Sequence, residues 1–507
     1  MHIKVATYRE AMARERTIAL PLFSTEDPGA NPLFARFDAT TKSRLKKFLK
    51  EECTRSFGEI RIFQQHDRAP NTIAVCSLGD EKKWNHRNIP IAIRRIVRVV
   101  ATQRAKTLVI PLASCFGGET EATATMIASE ALAASFEFRA YRESPPEGWF
   151  DLDTLILAHA ANKDSTIKKG IATGVVIGEE LNRCRVIANT PGGDMTPQKL
   201  ASAAKESANR NGFRAQALDE RTLKRLSMGG ILGVARGSTE KPRLIILEYR
   251  NGPKSQLPLL LVGKGVTFDS GGVNLKPEQH MNEMHMDMSG GAAVIHGISA
   301  IARLKLAINT VGIVPAVENM PSGSSYRPGD ILKSYTGKTI EVLNTDAEGR
   351  IILADALGYG VQHFKPGLAV DFATLTGAAM VALGTYASGL FVRENDPQLS
   401  EALIAVGNAS GDYVWPLPLW DEYLADIKGT FGDIANIGTK GGRLGGATHG
   451  AKFLEQFVGD TRWAHVDIAP RMTANDSDEL AKGATGVGVR FIIELAKQYP
   501  RIMKQKL

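Results

Sequence analysis

Apolar positions along the chain follow two rhythms. In the first third, short apolar runs alternate with segments whose apolar residues recur at helical spacing: Thr72–Leu78, Ile89–Lys106, Thr107–Ala113, then Glu119–Phe136. A short apolar run suits a buried strand, and recurrence at every third or fourth position suits an amphipathic helix. Their alternation predicts layered α/β structure. The periodicity breaks at Tyr141–Trp149, where YRESPPEGW places paired prolines and a glycine in sequence, and a mixed segment, Phe150–Ser165, follows. A long helical pattern then runs from about Ile167 to Ala188. This places a boundary between a smaller N-terminal α/β domain over residues 1–165 and a larger α/β domain over residues 166–507.

In the second part, Thr196-Pro197 opens a helix with a cap residue and a proline at the first helical position, and Gly212 ends it. Beyond Leu244 come runs suited to buried strands: Leu257–Val262, Thr310–Pro315, Leu368–Thr374 and Trp463–Ile468. Glycine-rich or polar punctuation follows each of them, and sites in open α/β sheets sit at such strand ends. The expected architecture of this domain is a central mixed sheet flanked by helices.

Composition adds few constraints. With 507 residues, 43% of them hydrophobic and 23% charged, the chain matches ordinary globular proteins and is long enough for two or three domains. Four scattered cysteines, Cys53, Cys76, Cys115 and Cys184, form no C-x-x-C pair, which suggests a reducing compartment. Residues 1–20 carry no apolar block of a secretory signal, and no apolar run reaches membrane-spanning length, so a cytoplasmic location is expected and no membrane partner. The net charge of +8 raises a nucleic-acid partner, with Lys42–Lys50 as the densest basic run. Leu45, Phe48 and Leu49 interleave with those lysines at helical spacing, however, and this favours the solvated face of a surface helix.

Three segments carry candidate chemistry. In the first, the buried run Leu259–Val262 leads into Gly263-Lys264-Gly265 and then Asp269-Ser270-Gly271-Gly272. A phosphate loop fails here, because Gly265 follows the lysine where Ser or Thr is needed, and Phe268 takes the place of the third glycine of G-x-G-x-x-G. In the second, Asp287 lies just before an Ala/Ile-rich helical pattern reaching about Leu306, where a helix cap competes with a ligand role. In the third, Asn344–Arg350 leads into a helical run, Ile351–Phe364. Asp346 and Glu348, two apart in an extended segment, would project to one side, with Arg350 continuing it. A cap with an exposed acid remains the other reading of that pair.

No H-E-x-x-H, no His/Cys cluster and no G-x-S-x-G elbow is present, so mononuclear zincin and serine-hydrolase chemistry have no residues to use. His280, His285, His296 and His465 are expected to be structural or exposed histidines. Carboxylates in number suit hard or borderline dications, and two such ions about 3.5–4 Å apart can activate water and stabilise an oxyanion. Another two-metal hydrolase, such as a phosphoesterase, is the enzyme alternative, although those sites generally mix histidines among the carboxylates. Nucleic-acid binding is the alternative from a different class.

Together these segments resemble the leucyl (cytosol) aminopeptidase family, whose N-T-D-A-E-G-R-L signature is matched at Asn344–Arg350 with Ile351 in place of leucine. The resemblance extends through V-G-K-G-x-T-F-D-S-G-G, Lys276 seven residues beyond Asp269, Ala373–Ala378 and Trp463–Ala469. It covers nearly all of the chain after about Ile167. It implies a metal-dependent aminopeptidase that removes a leucine-like first residue from peptides with a free N-terminus. Lys264, Asp269, Asp287 and Glu348 would hold the tighter metal, and Asp269, Asp346 and Glu348 the looser. The ions would be zinc or manganese, with magnesium and cobalt as further options. Lys276 would polarise the scissile carbonyl, and Arg350, with Gly349 and Leu375, would bind a bicarbonate serving as general base. Met284, Thr374, Gly377 and Ala484 would line the pocket for the first side chain. The resemblance further implies a homohexamer assembled with the help of the N-terminal domain.

Overall fold

A strand buried on both faces has no polar side to show, so its apolar residues run on without a break. In the computed structural model, which describes residues 1–12, 16–31, 33–160, 163–439 and 444–504, such strands form the middle of both sheets. The chain divides into two units, residues 1–182 with 475–482 and residues 183–474 with 483–507.

The first unit holds β1 (His2–Thr7), β2 (Thr17–Leu22), β3 (Ile60–Gln64), β4 (Thr72–Ser77), β5 (Thr107–Pro111) and β6 (Thr154–His159), in the order β1-β6-β5-β2-β4-β3. All pairs are parallel except β3–β4. Successive side chains of a strand point to opposite faces, and here they part into two cores. Ala19, Ala74, Leu108 and Leu155 face Ile93, Val97 and Ile127 of helices Asn88–Thr102 and Glu121–Ser135. Ile18, Leu20, Val75 and Val109 share the other core with Leu45 and Leu49 of helix Ala39–Glu51. That helix carries the basic run: Asp38 caps it by accepting from the Thr41 amide, and Lys46, Lys47 and Lys50 are exposed.

The second unit holds β7 (Arg214–Leu218), β8 (Arg243–Arg250), β9 (Leu259–Gly263), β10 (Gly265–Asp269), β11 (Asn309–Asn319), β12 (Ile331–Lys333), β13 (Thr339–Glu341), β14 (Leu368–Ala373), β15 (Ser388–Val392), β16 (Val414–Pro416), β17 (Ile434–Ala435) and β18 (Trp463–Asp467). A mixed nine-stranded sheet runs β16-β15-β18-β14-β9-β11-β8-β7, with β10 also paired to β11, and β12, β13 and β17 form a small second sheet. Helix Pro197–Asn211 begins and ends as its residues dictate, with Thr196 accepting from the Lys199 amide and Gly212 left-handed at φ 74°. Helix Glu348–Phe364 covers one face, sharing a core with Leu260, Val262, Val311 and Ile313 through Ile351 and Leu357. Helix Ser289–Arg303 is buried from Ser289 to Ala302 and packs on β9, β11 and β14. Because β10 and β9 each run parallel to β11, and β14 runs parallel to both β9 and β18, their carboxyl ends open on one edge, where ligands bind in such sheets. No helix among the described residues is long and apolar enough to cross a membrane.

Candidate metal centre

Lys264 sits at a step in the sheet. β9 pairs with the first half of β11 and β10 with the second, and Lys264 lies between them. Its amide donates to the Phe372 carbonyl at 3.0 Å and its carbonyl accepts from Gly291 at 2.7 Å, so the backbone is pinned on both sides. The buried side chain places Nζ 2.8 Å from Asp287 Oδ2 and 2.7 Å from Glu348 Oε1, and it donates to the Thr374 carbonyl at 3.0 Å. Five residues on, β10 ends at Asp269. A turn closed by the Lys276 amide donating to the Ser270 carbonyl at 2.9 Å then returns Lys276 Nζ to 2.8 Å from Asp269 Oδ2 and 2.5 Å from Asp346 Oδ1.

The competing cap readings can be decided by geometry. Helix Ser289–Arg303 has Met288 at its cap position and no side-chain cap bond. The Asp287 carboxylate instead accepts from Thr374 Oγ1 at 2.6 Å and pairs with Lys264. Helix Glu348–Phe364 has Ala347 at its cap position, again with no side-chain cap bond, which leaves Asp346 turned to Lys276. The expectation of an extended segment through Arg350 is corrected here. The helix begins at Glu348, so Glu348 and Arg350 lie in its first turn, where an acid also meets the positive end of the helix dipole.

Four carboxylates thus meet two ammoniums in a buried cluster, and oxygens of Asp269, Asp346 and Glu348 lie within 4.8 Å of one another. Burial pushes the Asp269 and Asp287 carboxyls above their usual range, and Glu348 adds like-charge repulsion that the two lysines only partly offset. Burial, with repulsion from Asp269, also raises Asp346. For both lysines burial pulls downward, but the surrounding carboxylates outweigh it and hold the ammoniums above their usual value. Asp287 Oδ2, Asp346 Oδ1 and Glu348 Oε1 are buried oxygens without a well-directed hydrogen bond, each facing only a lysine ammonium. Orphaned buried acceptors in a carboxylate set with one lysine amine fit divalent cations. Lys264, Asp269, Asp287, Asp346 and Glu348 are the residues that could hold them.

Around this cluster the other sequence-derived residues take different places. The Gly349 backbone lies against the Lys264 side chain, where a Cβ would come within 2.6 Å of Cε. Arg350 is buried, donates to the Asn436 carbonyl at 2.9 Å and leaves Nε without a partner, and burial pushes it down to about 10. A Cβ on Gly450 would sit 3.0 Å from Leu375 Cδ2 and 3.3 Å from Arg350 Nη2, so Leu375 and Arg350 border the same narrow space. Thr374 is joined to Asp287 and Lys264, Met284 opens a single 3-10 turn three residues before Asp287, and Gly377 begins helix Gly377–Leu383. Ala484 is buried, donating to Asn189 and accepting from Arg185. A cavity of about 440 Å³ beside Lys276 is lined by Phe268, Leu275, Glu278, Met281 and Asn282.

Among the described residues the cluster contains no histidine. His465 Nδ1 lies 2.6 Å from Asp371 Oδ1 inside the sheet, and its ring stacks on Phe391. Sequence reasoning overlooked Asn319, Tyr326 and Asn436, which support the ligand segments by hydrogen bonds. One signal was present. The apolar run of β11 ends in a polar pair, Glu318-Asn319, on the sheet edge where Asp269 also lies.

The model of the cytosol aminopeptidase family catalytic domain matches residues 182–493, and that of the same family's N-terminal domain matches residues 19–145. The chain belongs to the cytosol aminopeptidase family. It is therefore a metal-dependent aminopeptidase, a peptide hydrolase. A probable cytosol aminopeptidase of Syntrophotalea carbinolica is 44% identical over 500 residues, covering 95% of this chain and 97% of its own length. That of Geobacter sp. (strain M21) is 40% identical over 452 residues, covering 88% and 90%. Among solved structures, the bottromycin maturation enzyme BotP in complex with Mn has a TM-score of 0.82 at 29% identity, covering 96% of this chain and all of that one.

Proposed function

We propose that this aminopeptidase removes a leucine-like first residue from peptides with a free N-terminus, using two divalent cations. The observation that supports this is the buried group of four carboxylates and Lys264, whose charge the two lysines cannot balance. Lys264, as the neutral amine it would become once a nearby dication drives off its proton, would hold the tighter cation with Asp269, Asp287 and Glu348, and Asp269, Asp346 and Glu348 the looser, as zinc or manganese. When bound, the pair supplies an activated water and Lewis-acid stabilisation of the oxyanion. Lys276 keeps its charge and stabilises the developing oxyanion from the side. Arg350, with Gly349 and Leu375, would hold a bicarbonate ion, which would supply the general base. Met284, Thr374, Gly377 and Ala484 receive the first side chain. Residues 1–165 act as an assembly domain and residues 166–507 as the catalytic domain of a cytoplasmic homohexamer.

The deciding experiment compares hydrolysis of the peptide bond in an unblocked leucyl dipeptide, followed by release of its second residue, with hydrolysis in the N-acetylated form, in added Mn²⁺ or Zn²⁺. Acetylation removes the amine that distinguishes an N-terminus, so only the free peptide should be cleaved. Comparable rates on both would show an endopeptidase and reject the proposal. Light scattering at six times the 54.8 kDa chain mass is expected for the assembly, and an active monomer would reject that part.

A further inference from the structure

The turn after β10 and the segment before helix Glu348–Phe364 supply Asp269, Asp346 and Glu348, yet nearly eighty residues of chain separate them. Asn319, the fully buried last residue of β11, joins the two. Its Nδ2 donates to Asp269 Oδ1 at 2.8 Å and to the Thr345 carbonyl at 2.9 Å. A carboxylate and a carbonyl only accept, so the nitrogen of this amide must be the atom that faces them. Asp269 Oδ1 also accepts from the Gly271 amide at 2.9 Å. Two N–H donors therefore occupy Oδ1, and Oδ2 is the oxygen turned to the cluster, 2.8 Å from Lys276 Nζ.

The backbone of Asn319 is itself held in place: its main-chain carbonyl accepts from the Ser270 amide at 3.0 Å and from Ser270 Oγ at 2.7 Å. The turn wraps around Asn319 Oδ1: a Cβ on Gly272, at φ 65°, would approach that oxygen to 2.8 Å. Thr345 is fixed from other sides, its carbonyl accepting from Tyr326 at 2.6 Å and its Oγ1 donating to the Gly271 carbonyl at 2.6 Å. Asn319 thus touches both ligand segments from a rigid strand end, and Thr345 is the neighbour of Asp346.

We propose that Asn319 is a positioning residue of the metal centre: its carboxamide ties the Asp269 carboxylate to the Thr345 carbonyl and sets the spacing between Asp269 and Asp346. This rests on the two-cation reading above. Of the ligand side chains, Asn319 bonds to Asp269, which is assigned to both cations, and steadies the segment of Asp346, which is assigned to the looser cation alone. Lys264, Asp287 and Glu348 of the tighter set receive no hydrogen bond from it. Its loss should therefore weaken the two sites unequally.

The test uses the full chain, stripped of metal by a chelator, dialysed and titrated with Mn²⁺ by calorimetry, with metal-free thermal unfolding measured alongside. Asn319→Asp keeps the shape but turns an acceptor toward the Asp269 carboxylate, and Asn319→Ala removes both donors. Two Mn²⁺ sites are expected in the wild type. In the variants the weaker should lose about 10- to 100-fold in affinity, the usual effect of removing a partner of a metal ligand. The tighter site, which meets this network only at Asp269, should lose clearly less, and both variants should still unfold cooperatively without metal. Equal weakening of both sites, unchanged affinity at both, or failure of both variants to fold would overturn the proposal. A wild-type chain that takes up fewer than two Mn²⁺ would instead overturn the two-cation reading and this inference with it.

Discussion

In the six-stranded sheet, β2, β4, β5 and β6 bury Ile18, Leu20, Val75, Val109 and Leu157, and a buried charge such as Arg94 lies 2.6 Å from its partner Glu130. In the nine-stranded sheet, β9, β14 and β18 bury side chains just as apolar, His465 and Asp371 pair within the sheet at 2.6 Å, and at the ends of β9, β10 and β18 lie Lys264, Asp269 and Asp467, all nearly or fully inaccessible. Burying a charge is costly unless it is paired, and a well-matched pair roughly offsets that cost. The first unit keeps to that rule. The second departs from it at one edge, where four carboxylates face two ammoniums, and the imbalance is the chemical reason to look for cations there. Uniform strands build a core, and the place where their uniformity ends marks the site.

The largest expected effect breaks the second unit's edge outright. Chelation should abolish peptide hydrolysis, and Mn²⁺, Co²⁺ or Zn²⁺ should restore it, because the proposed reaction depends on cations held by this carboxylate set. Full activity after exhaustive metal removal would show that the charge imbalance has another purpose.

Next in size is the contrast between the two lysines. Lys264→Ala should lower metal content, because Nζ is assigned to the proposed ligand set. Lys276→Ala should keep both metals and KM while kcat falls about 10²–10³-fold, or about 3–4 kcal/mol, by analogy with loss of an oxyanion donor. Metal stoichiometry measured beside kcat and KM checks both. The reverse pattern would exchange their roles.

A smaller effect concerns a buried acid away from the cluster. Asp355 accepts from the amides of Ile231 at 2.9 Å and Tyr335 at 2.7 Å, yet burial prevails and pushes its carboxyl up to about 7. Because the folded value lies above the unfolded one, the folded state holds this proton more tightly. The group's contribution is full below about pH 4 and is lost as pH rises through 7. In that window the wild type should lose up to about 1.4 kcal/mol per pH unit relative to Asp355→Asn. Melting temperatures measured from pH 4 to 8 show this as a steeper fall, and parallel curves would mean that Asp355 stays ionised. Least affected should be the exposed basic face of the first unit, where Lys46→Ala and Lys47→Ala should each change stability by less than about 0.5 kcal/mol and leave hydrolysis unchanged.

Much of the second unit was legible because its strand runs are apolar on both faces and its glycine-flanked polar residues stand out against them. The run Leu257–Val262 anticipated β9, and Thr196-Pro197 with Gly212 bracketed a helix that forms between them. β11 is longer than the expected Thr310–Pro315, ending at Asn319, because pairing with β10 extends it beyond Pro315. The start of helix Glu348–Phe364 was placed too late, since an acidic, glycine-containing segment lacks the periodicity by which helices are recognised.

Residue order by itself singled out the side chains proposed to carry the chemistry: Lys264, Asp269, Lys276, Asp287, Asp346 and Glu348 stand in three short segments whose motifs depend on local spacing alone. Whether Asp287 and Asp346 cap helices or face a cluster was decided by the fold, because a carboxylate's partner depends on what lies opposite. That is Thr374 and Lys264 for Asp287 and Lys276 for Asp346, brought there by other strands and turns. The part of Asn319 was likewise invisible in one dimension. Its two acceptors, Asp269 and Thr345, lie 50 residues before it and 26 after it, and meet only where β10 and β11 end side by side.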